Sequence, residues 1–192
     1  MTRRQLDIFN RQDQAAIDKT AERVRKTEAT WPLRFTVNGK PVEVAVDPEE
    51  SLYDTLRERL RLTGTKGACL EGECGSCTVL LDGKPVTACL VMAPQVAGRK
   101  VTTIEGLAAD DRLHAVQESF IAAGAVQCGY CTPGLIVSAA ALLEENPQPT
   151  ADQVREALEG NLCRCTGYTK IIDAVLDASS SGTEDKANAG VD

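Results

Sequence analysis

Apolar side chains recur with a period of two from Leu33. Leu33, Phe35 and Val37 alternate with polar neighbours, and after Asn38-Gly39-Lys40-Pro41 the alternation returns at Val42, Val44 and Val46. Alternation on both sides of an Asn-Gly pair predicts a β-hairpin. Asp47-Pro48-Glu49-Glu50 then supplies a capping residue, a first-turn proline and an acid at the third helical position. Leu52, Leu56 and Leu60 follow at four-residue intervals, which predicts a helix of about three turns. Residues 78–81, Asp82-Gly83 and residues 86–91 read as a second hairpin, and residues 101–104 as one more strand. Two hairpins with a crossing helix make a small α+β domain.

Beyond Gly106 the period becomes helical. Leu113, Val116, Phe120 and Ile121 share one face that stops at Gly124, and Thr132-Pro133 opens a second helix through Leu143. Thr150 with Gln153 caps a third that stops at Gly160, and a fourth begins at Ile171. These elements predict a helical bundle. Residues 1–31 form an extension whose first 30 positions carry seven Lys or Arg and five Asp or Glu, with a few apolar residues at loosely helical spacing. It reads either as a solvated tail or as a helical arm that docks on a partner subunit. The expected organisation is therefore an extension (1–31), a strand-rich domain (32–107), a helical domain (108–178) and a flexible tail (179–192), whose Ser-Ser-Ser-Gly-Thr-Glu-Asp composition is too polar to offset its ordering entropy.

Charge and length narrow the function. The net charge of the 192-residue chain is −7 and no basic stripe is visible, which argues against nucleic-acid binding. The longest run free of charges and strong polars, residues 134–143, is about half of the roughly 20 residues that a membrane helix requires. Arg3-Arg4 is followed by polar residues where an export signal needs an apolar segment, so the expected compartment is the cytoplasm. A chain of this size folds without staples, so eight cysteines in a reducing compartment point to metal rather than disulfides.

The cysteines fall into two sets of four. Cys69, Cys74, Cys77 and Cys89 lie in the strand-rich domain with gaps of four, two and eleven residues, the spacing of a plant-type [2Fe–2S] cluster. Such a cluster is a dianion when oxidised and a trianion when reduced, so it needs nearby donors. Glycines 67, 72 and 75 let the loop curl and aim backbone N–H groups at its sulfurs. The returning strand of the Asp82-Gly83 hairpin is expected to carry Cys89. Cys128, Cys131, Cys163 and Cys165 lie in the helical domain, ahead of two helix starts whose unpaired N–H groups and positive dipole ends favour anions. Structural zinc is the main competing reading, but zinc sites usually pair two Cys-x2-Cys knuckles in one small unit, whereas here each knuckle has its own further ligands in its own domain. Disulfides would need oxidising surroundings, and thiol redox activity a lone motif in a βαβ setting.

At these motifs the chain resembles the [2Fe–2S] small subunits of the molybdenum hydroxylases, the group that includes xanthine dehydrogenases, aldehyde oxidoreductases and carbon monoxide dehydrogenases. The most specific stretches are residues 66–79, 127–134 and 160–168, and the resemblance runs from about Leu33 to Ala178. It implies a β-grasp, plant-type ferredoxin-like domain followed by an all-α four-helix-bundle domain, each with one [2Fe–2S] cluster. It also implies that the helical cluster lies nearer a molybdopterin cofactor held by a separate large subunit, that Gln127 and Cys165 contact the pterin with Cys165 also an iron ligand, and that electrons leave through the ferredoxin-like cluster. FAD would sit on a medium subunit, in a heterotrimer or dimer of heterotrimers. No residue of this chain is expected to be catalytic, and the chain alone is not expected to turn over substrate. A free-standing two-cluster carrier is the alternative, for which the first set alone would suffice.

The first 30 residues, Leu70 (often glycine in the family) and Ser76 (commonly alanine) depart from the pattern, and none removes a ligand. Leu70 and Ser76 bear on the potential or solvent access of the first cluster. His114, the only histidine, reads as polar surface near a helix start. Tyr130 and Tyr168 read as packing groups, Lys66 as a loop lysine and Arg164 as a cation offsetting the cluster.

Overall fold

The computed structural model describes residues 30–109 and 112–188; the predicted N-terminal arm lies outside them. Strands β1 (Trp31–Val37) and β2 (Lys40–Val46) form the first hairpin, and β3 (Thr78–Leu81) and β4 (Lys84–Thr87) the second. Both turns place two residues in the left-handed region, Asn38 and Gly39 at φ 50° and 76° and Asp82 and Gly83 at 51° and 82°. That is the geometry whose twist matches the strands. Strand β5 (Lys100–Thr102) pairs parallel with β1 and antiparallel with β3, which gives the mixed order β2-β1-β5-β3-β4. Each turn is tied to this central region by its first side chain. Asn38 Oδ1 accepts from Thr103 N at 2.9 Å, and Asp82 Oδ1 from Lys100 N at 2.8 Å.

Helix α1 (Leu52–Asp54) runs directly into a π-helical stretch (Thr55–Arg59) and crosses the sheet, burying Leu52 and Leu56 against Leu33, Phe35, Val79 and Val101. It is shorter than its leucine spacing predicts, and Asp47 does not cap it. The Asp47 carboxylate is engaged in a local turn, accepting from Glu49 N at 2.8 Å, and Ser51 Oγ takes the capping role by accepting from Asp54 N at 3.1 Å. The widened turn, closed by Leu60 N on Thr55 O, ends the helix at Leu60.

The second domain packs α2 (Ala115–Ala122), α3 (Thr132–Glu145), α4 (Ala151–Leu158) and α5 (Thr169–Asn188) around its own core of Val116, Phe120, Leu135, Val154, Ile171 and Val175. The Thr150–Gln153 capping box forms as its spacing requires. One correction concerns the first of these helices. Leu113 and Ile121 are exposed rather than facing the core, because the short α2 buries only Val116 and Phe120. Helix α5 runs through Asn188, into the residues whose composition predicts a flexible tail. Once α5 is nucleated by its packed first turns, each further residue adds a hydrogen bond at small cost, and Ser179 and Ser180 bond back to Leu176 O and Asp177 O. Among the described residues, no helix is long and apolar enough to cross a membrane.

Candidate metal centres

The first thiol set is built on the loop between α1 and β3. Arg57 Nη1 donates to Thr63 O at 2.8 Å and Thr65 O at 2.7 Å, pinning the start of the loop, while Lys66 Nζ does no more than bond back to Thr63 O. Leu70, Gly72 and Gly75 then adopt left-handed conformations at φ 58°, 82° and 68°. This curl aims the amides of Glu71 and Cys74 at Cys69 Sγ, each at 3.4 Å. These two backbone donors, with the Cys74 thiol, lower Cys69 to about 7. Cys77 stands immediately before β3 and is buried. Burial, with the adjoining Cys89 and Cys74 thiols, pushes it up to about 12. Cys89 is not on β4, which ends at Thr87. It lies in the turn that follows, positioned by Ala88 N donating to Cys77 O at 3.3 Å, because the chain must leave the sheet there to let Tyr53 N reach Ala88 O.

The second set collects at two helix approaches. Cys131 is the N-cap of α3, where burial and then the neighbouring Cys163 push it up to about 12. Cys128 and Cys165 are exposed, their sulfurs 3.7 Å apart, and this mutual contact raises Cys165. Burial works to raise Cys163, but the Thr166 hydroxyl at 3.0 Å and the Thr166 amide at 3.4 Å outweigh it and the thiol is lowered. Gln127, Val126 and Leu162 are exposed beside these thiols in the chain. Arg164, between two of the cysteines, is exposed as well.

The two loops meet across the domain boundary. Leu162 N donates to Cys74 O at 2.9 Å, so the residue before Cys163 is bonded to a cysteine of the first set. The buried Asn161 donates through Nδ2 to Gly75 O at 2.9 Å and Thr78 Oγ1 at 3.2 Å, and its Oδ1 accepts from Ser138 at 2.7 Å. Gly75 and Gly134 allow this approach: a Cβ on Gly75 would stand 2.1 Å from Gly160 O, and one on Gly134 2.4 Å from Gly75 O. Tyr130, read as packing from sequence, is a strap whose hydroxyl donates to Gly67 O. Tyr168 OH accepts from Cys163 N at 2.8 Å. His114 is the N-cap of α2, with Nδ1 accepting from Val116 N at 3.3 Å. Asn161, Arg57 and Thr166 are the residues that the sequence did not single out. Their partners lie across the domain boundary or in loops without periodicity, so only the 160–168 stretch, which holds Asn161 and Thr166, carried any signal.

The donor chemistry fits iron–sulfur clusters. Two sulfurs on one tetrahedral metal with bonds of about 2.3 Å stand about 3.8 Å apart, which the Cys128–Cys165 spacing of 3.7 Å matches. Cys77 with Cys89 and Cys131 with Cys163 are further thiol pairs in contact, as two thiolates per iron would be.

Residues 35–103 match the family described as 2Fe-2S iron-sulfur cluster binding domain, and residues 103–176 the [2Fe-2S] binding domain. The chain is 48% identical over 143 residues to the nicotinate dehydrogenase small FeS subunit of Eubacterium barkeri, covering 74% of this chain and 91% of that one. Among solved structures, quinoline 2-oxidoreductase from Pseudomonas putida 86 superposes with a TM-score of 0.78 at 46% identity, over 81% of this chain and 97% of that chain. Aldehyde oxidoreductase from Desulfovibrio gigas does so with a TM-score of 0.77 at 44% identity, over 81% of this chain but 17% of that longer chain. The fold and these matches define a protein of two [2Fe–2S]-binding domains, α+β then all-α. The chain belongs to the iron–sulfur small subunits of the molybdenum hydroxylases and is an oxidoreductase subunit.

Proposed function

We propose that this chain carries electrons from a molybdopterin centre on a large partner subunit, through two [2Fe–2S] clusters, to FAD on a medium subunit, in a cytoplasmic heterotrimer or dimer of heterotrimers. Cys69, Cys74, Cys77 and Cys89 hold the first cluster, and Cys128, Cys131, Cys163 and Cys165 the second. When bound, a [2Fe–2S] cluster supplies one-electron redox chemistry. The chain's own residues set where that chemistry occurs. Backbone amides of Glu71 and Cys74 offset negative charge at Cys69, Thr166 does so at Cys163, and the Asn161 seam holds the two loops in contact.

The observation that carries this reading is the contact of thiols within each set, Cys77 with Cys89, Cys131 with Cys163 and Cys128 with Cys165, together with the Leu162 N–H bond to Cys74 O that joins the two loops. The outer thiols of the second quartet are exposed together with Gln127 and an apolar rim of Val126 and Leu162, which fits burial of that face against the large subunit and contact of Gln127 and Cys165 with the pterin. The relatives named above are a nicotinate dehydrogenase, a quinoline oxidoreductase and an aldehyde oxidoreductase, so we assign the holoenzyme's substrate to N-heteroaromatics or aldehydes.

The test is anaerobic purification with iron and acid-labile sulfide assays, followed by paramagnetic resonance of the reduced protein. Two distinct signals are expected. Cys74→Ala should remove one and Cys131→Ala the other, and a molybdenum-bearing large chain should co-purify. Absence of labile sulfide, or loss of both signals with either variant, would refute the assignment.

A further inference from the structure

Among the described residues, one side-chain hydroxyl is hydrogen-bonded to a thiol of each set. Ser76 Oγ lies 3.6 Å from Cys74 Sγ and is buried, 4% exposed. Thr166 Oγ1 lies 3.0 Å from Cys163 Sγ. The direction of each bond follows from what else the hydroxyl touches. Thr166 Oγ1 already accepts from Tyr168 N at 3.3 Å, so its proton is free to donate to sulfur. In the free thiol form Cys74 donates to Ser76. A metal-bound thiolate has no proton to give, so the bond reverses, and the buried hydroxyl's proton has the sulfur as its acceptor in reach. Leaving that proton unpaired would cost the desolvation of the hydroxyl.

We propose that Ser76 and Thr166 are potential-setting residues, one for each centre, through O–H···S bonds to Cys74 and Cys163. The inference rests on the assignment of those cysteines as cluster ligands. Reduction adds one negative charge that spreads onto the ligand sulfurs, so a donor to sulfur stabilises the reduced form more than the oxidised form and raises the potential. Removing the hydroxyl lowers the potential of its own centre and leaves the other in place. The two residues thus act in opposition on the driving force between the centres: losing Thr166's proton favours transfer from the second site to the first, and losing Ser76's disfavours it. Neither residue touches substrate, and both act through the cysteine they contact.

The experiment is a redox titration of the reduced, isolated complex followed by paramagnetic resonance, with Ser76→Ala, Thr166→Val and Thr166→Ser compared with the parent. Ser76→Ala is expected to shift one midpoint downward and Thr166→Val the other, while Thr166→Ser, which keeps the hydroxyl, stays with the parent. Iron and labile sulfide per chain should be unchanged in all three. Intact clusters with unmoved or raised midpoints would overturn the inference, as would both midpoints moving together on a single substitution. A parent protein without labile sulfide would instead overturn the cluster assignment itself, and this inference with it.

Discussion

A methyl group placed on Gly75 tests the seam between the two domains. Gly75 has a φ of 68°, and a Cβ there would stand 2.1 Å from Gly160 O and 2.6 Å from Asn161 Nδ2. Gly83, at the tip of the second hairpin, has a φ of 82° with nothing within 4 Å of its would-be Cβ. Both alanine variants pay for the left-handed backbone, about 1–2 kcal/mol. Gly75→Ala adds overpacking of about 1–3 kcal/mol, because the nearest atom is a backbone carbonyl that has no rotamer to escape into. Relief by separating the loops would break the Asn161–Gly75 and Leu162–Cys74 hydrogen bonds, at about 1 kcal/mol each. At roughly 2–4 °C per kcal/mol for a chain of this length, Gly75→Ala should melt about 2–12 °C below Gly83→Ala. Thermal scans of both holoproteins under argon, at one scan rate, measure the gap. Equal depressions would show that the seam is loose enough to absorb a methyl group, and would refute the argument that backbone-to-backbone contact holds the two cluster loops together.

Burial holds His114 below its ordinary value of 6.5, against an opposing pull from Glu144, and its Nδ1 is needed as an acceptor for Val116 N–H. The unfolded state therefore takes up the proton first, and stability is lost as pH falls below about 6.5 and through the lower folded value. Urea midpoints at pH 8 and pH 5 should differ less in His114→Asn, which keeps a capping acceptor, than in the parent; an unchanged difference would discount the histidine. Asn38 combines a left-handed φ of 50° with bonds to Thr103 N at 2.9 Å and Thr103 Oγ1 at 3.0 Å. Asn38→Ala should cost about 2–3 kcal/mol by urea unfolding, and Asn38→Gly, which restores only the backbone freedom, should cost less than Ala but more than nothing. Equal costs for the two would mean that the side-chain bonds carry the whole effect.

What depends on near neighbours in the chain was legible from the residues alone. Asn38-Gly39 and Asp82-Gly83 each demand two left-handed residues, and both turns adopt them. Thr150 and Gln153 satisfy the first amides of their helix from within four positions. The cysteine gaps announced an iron–sulfur chemistry, because three ligands drawn from a nine-residue loop need no tertiary fold to be near one another. Local logic failed where two local solutions competed: Asp47 was used for a turn and Ser51 for the cap, and α1 closed with a widened turn. Only the packed structure decided how the two halves meet. Asn161 and Gly75 are 86 positions apart, and Tyr130 and Gly67 are 63 apart. No periodicity spans such distances, since those hydrogen bonds form only after two separate cores have buried their apolar faces and presented the two loops to each other. The hydroxyl–sulfur contacts of Ser76 with Cys74 and of Thr166 with Cys163 span only two and three positions, so they belong to the local loops, whereas the seam that brings those loops together belongs to the packing.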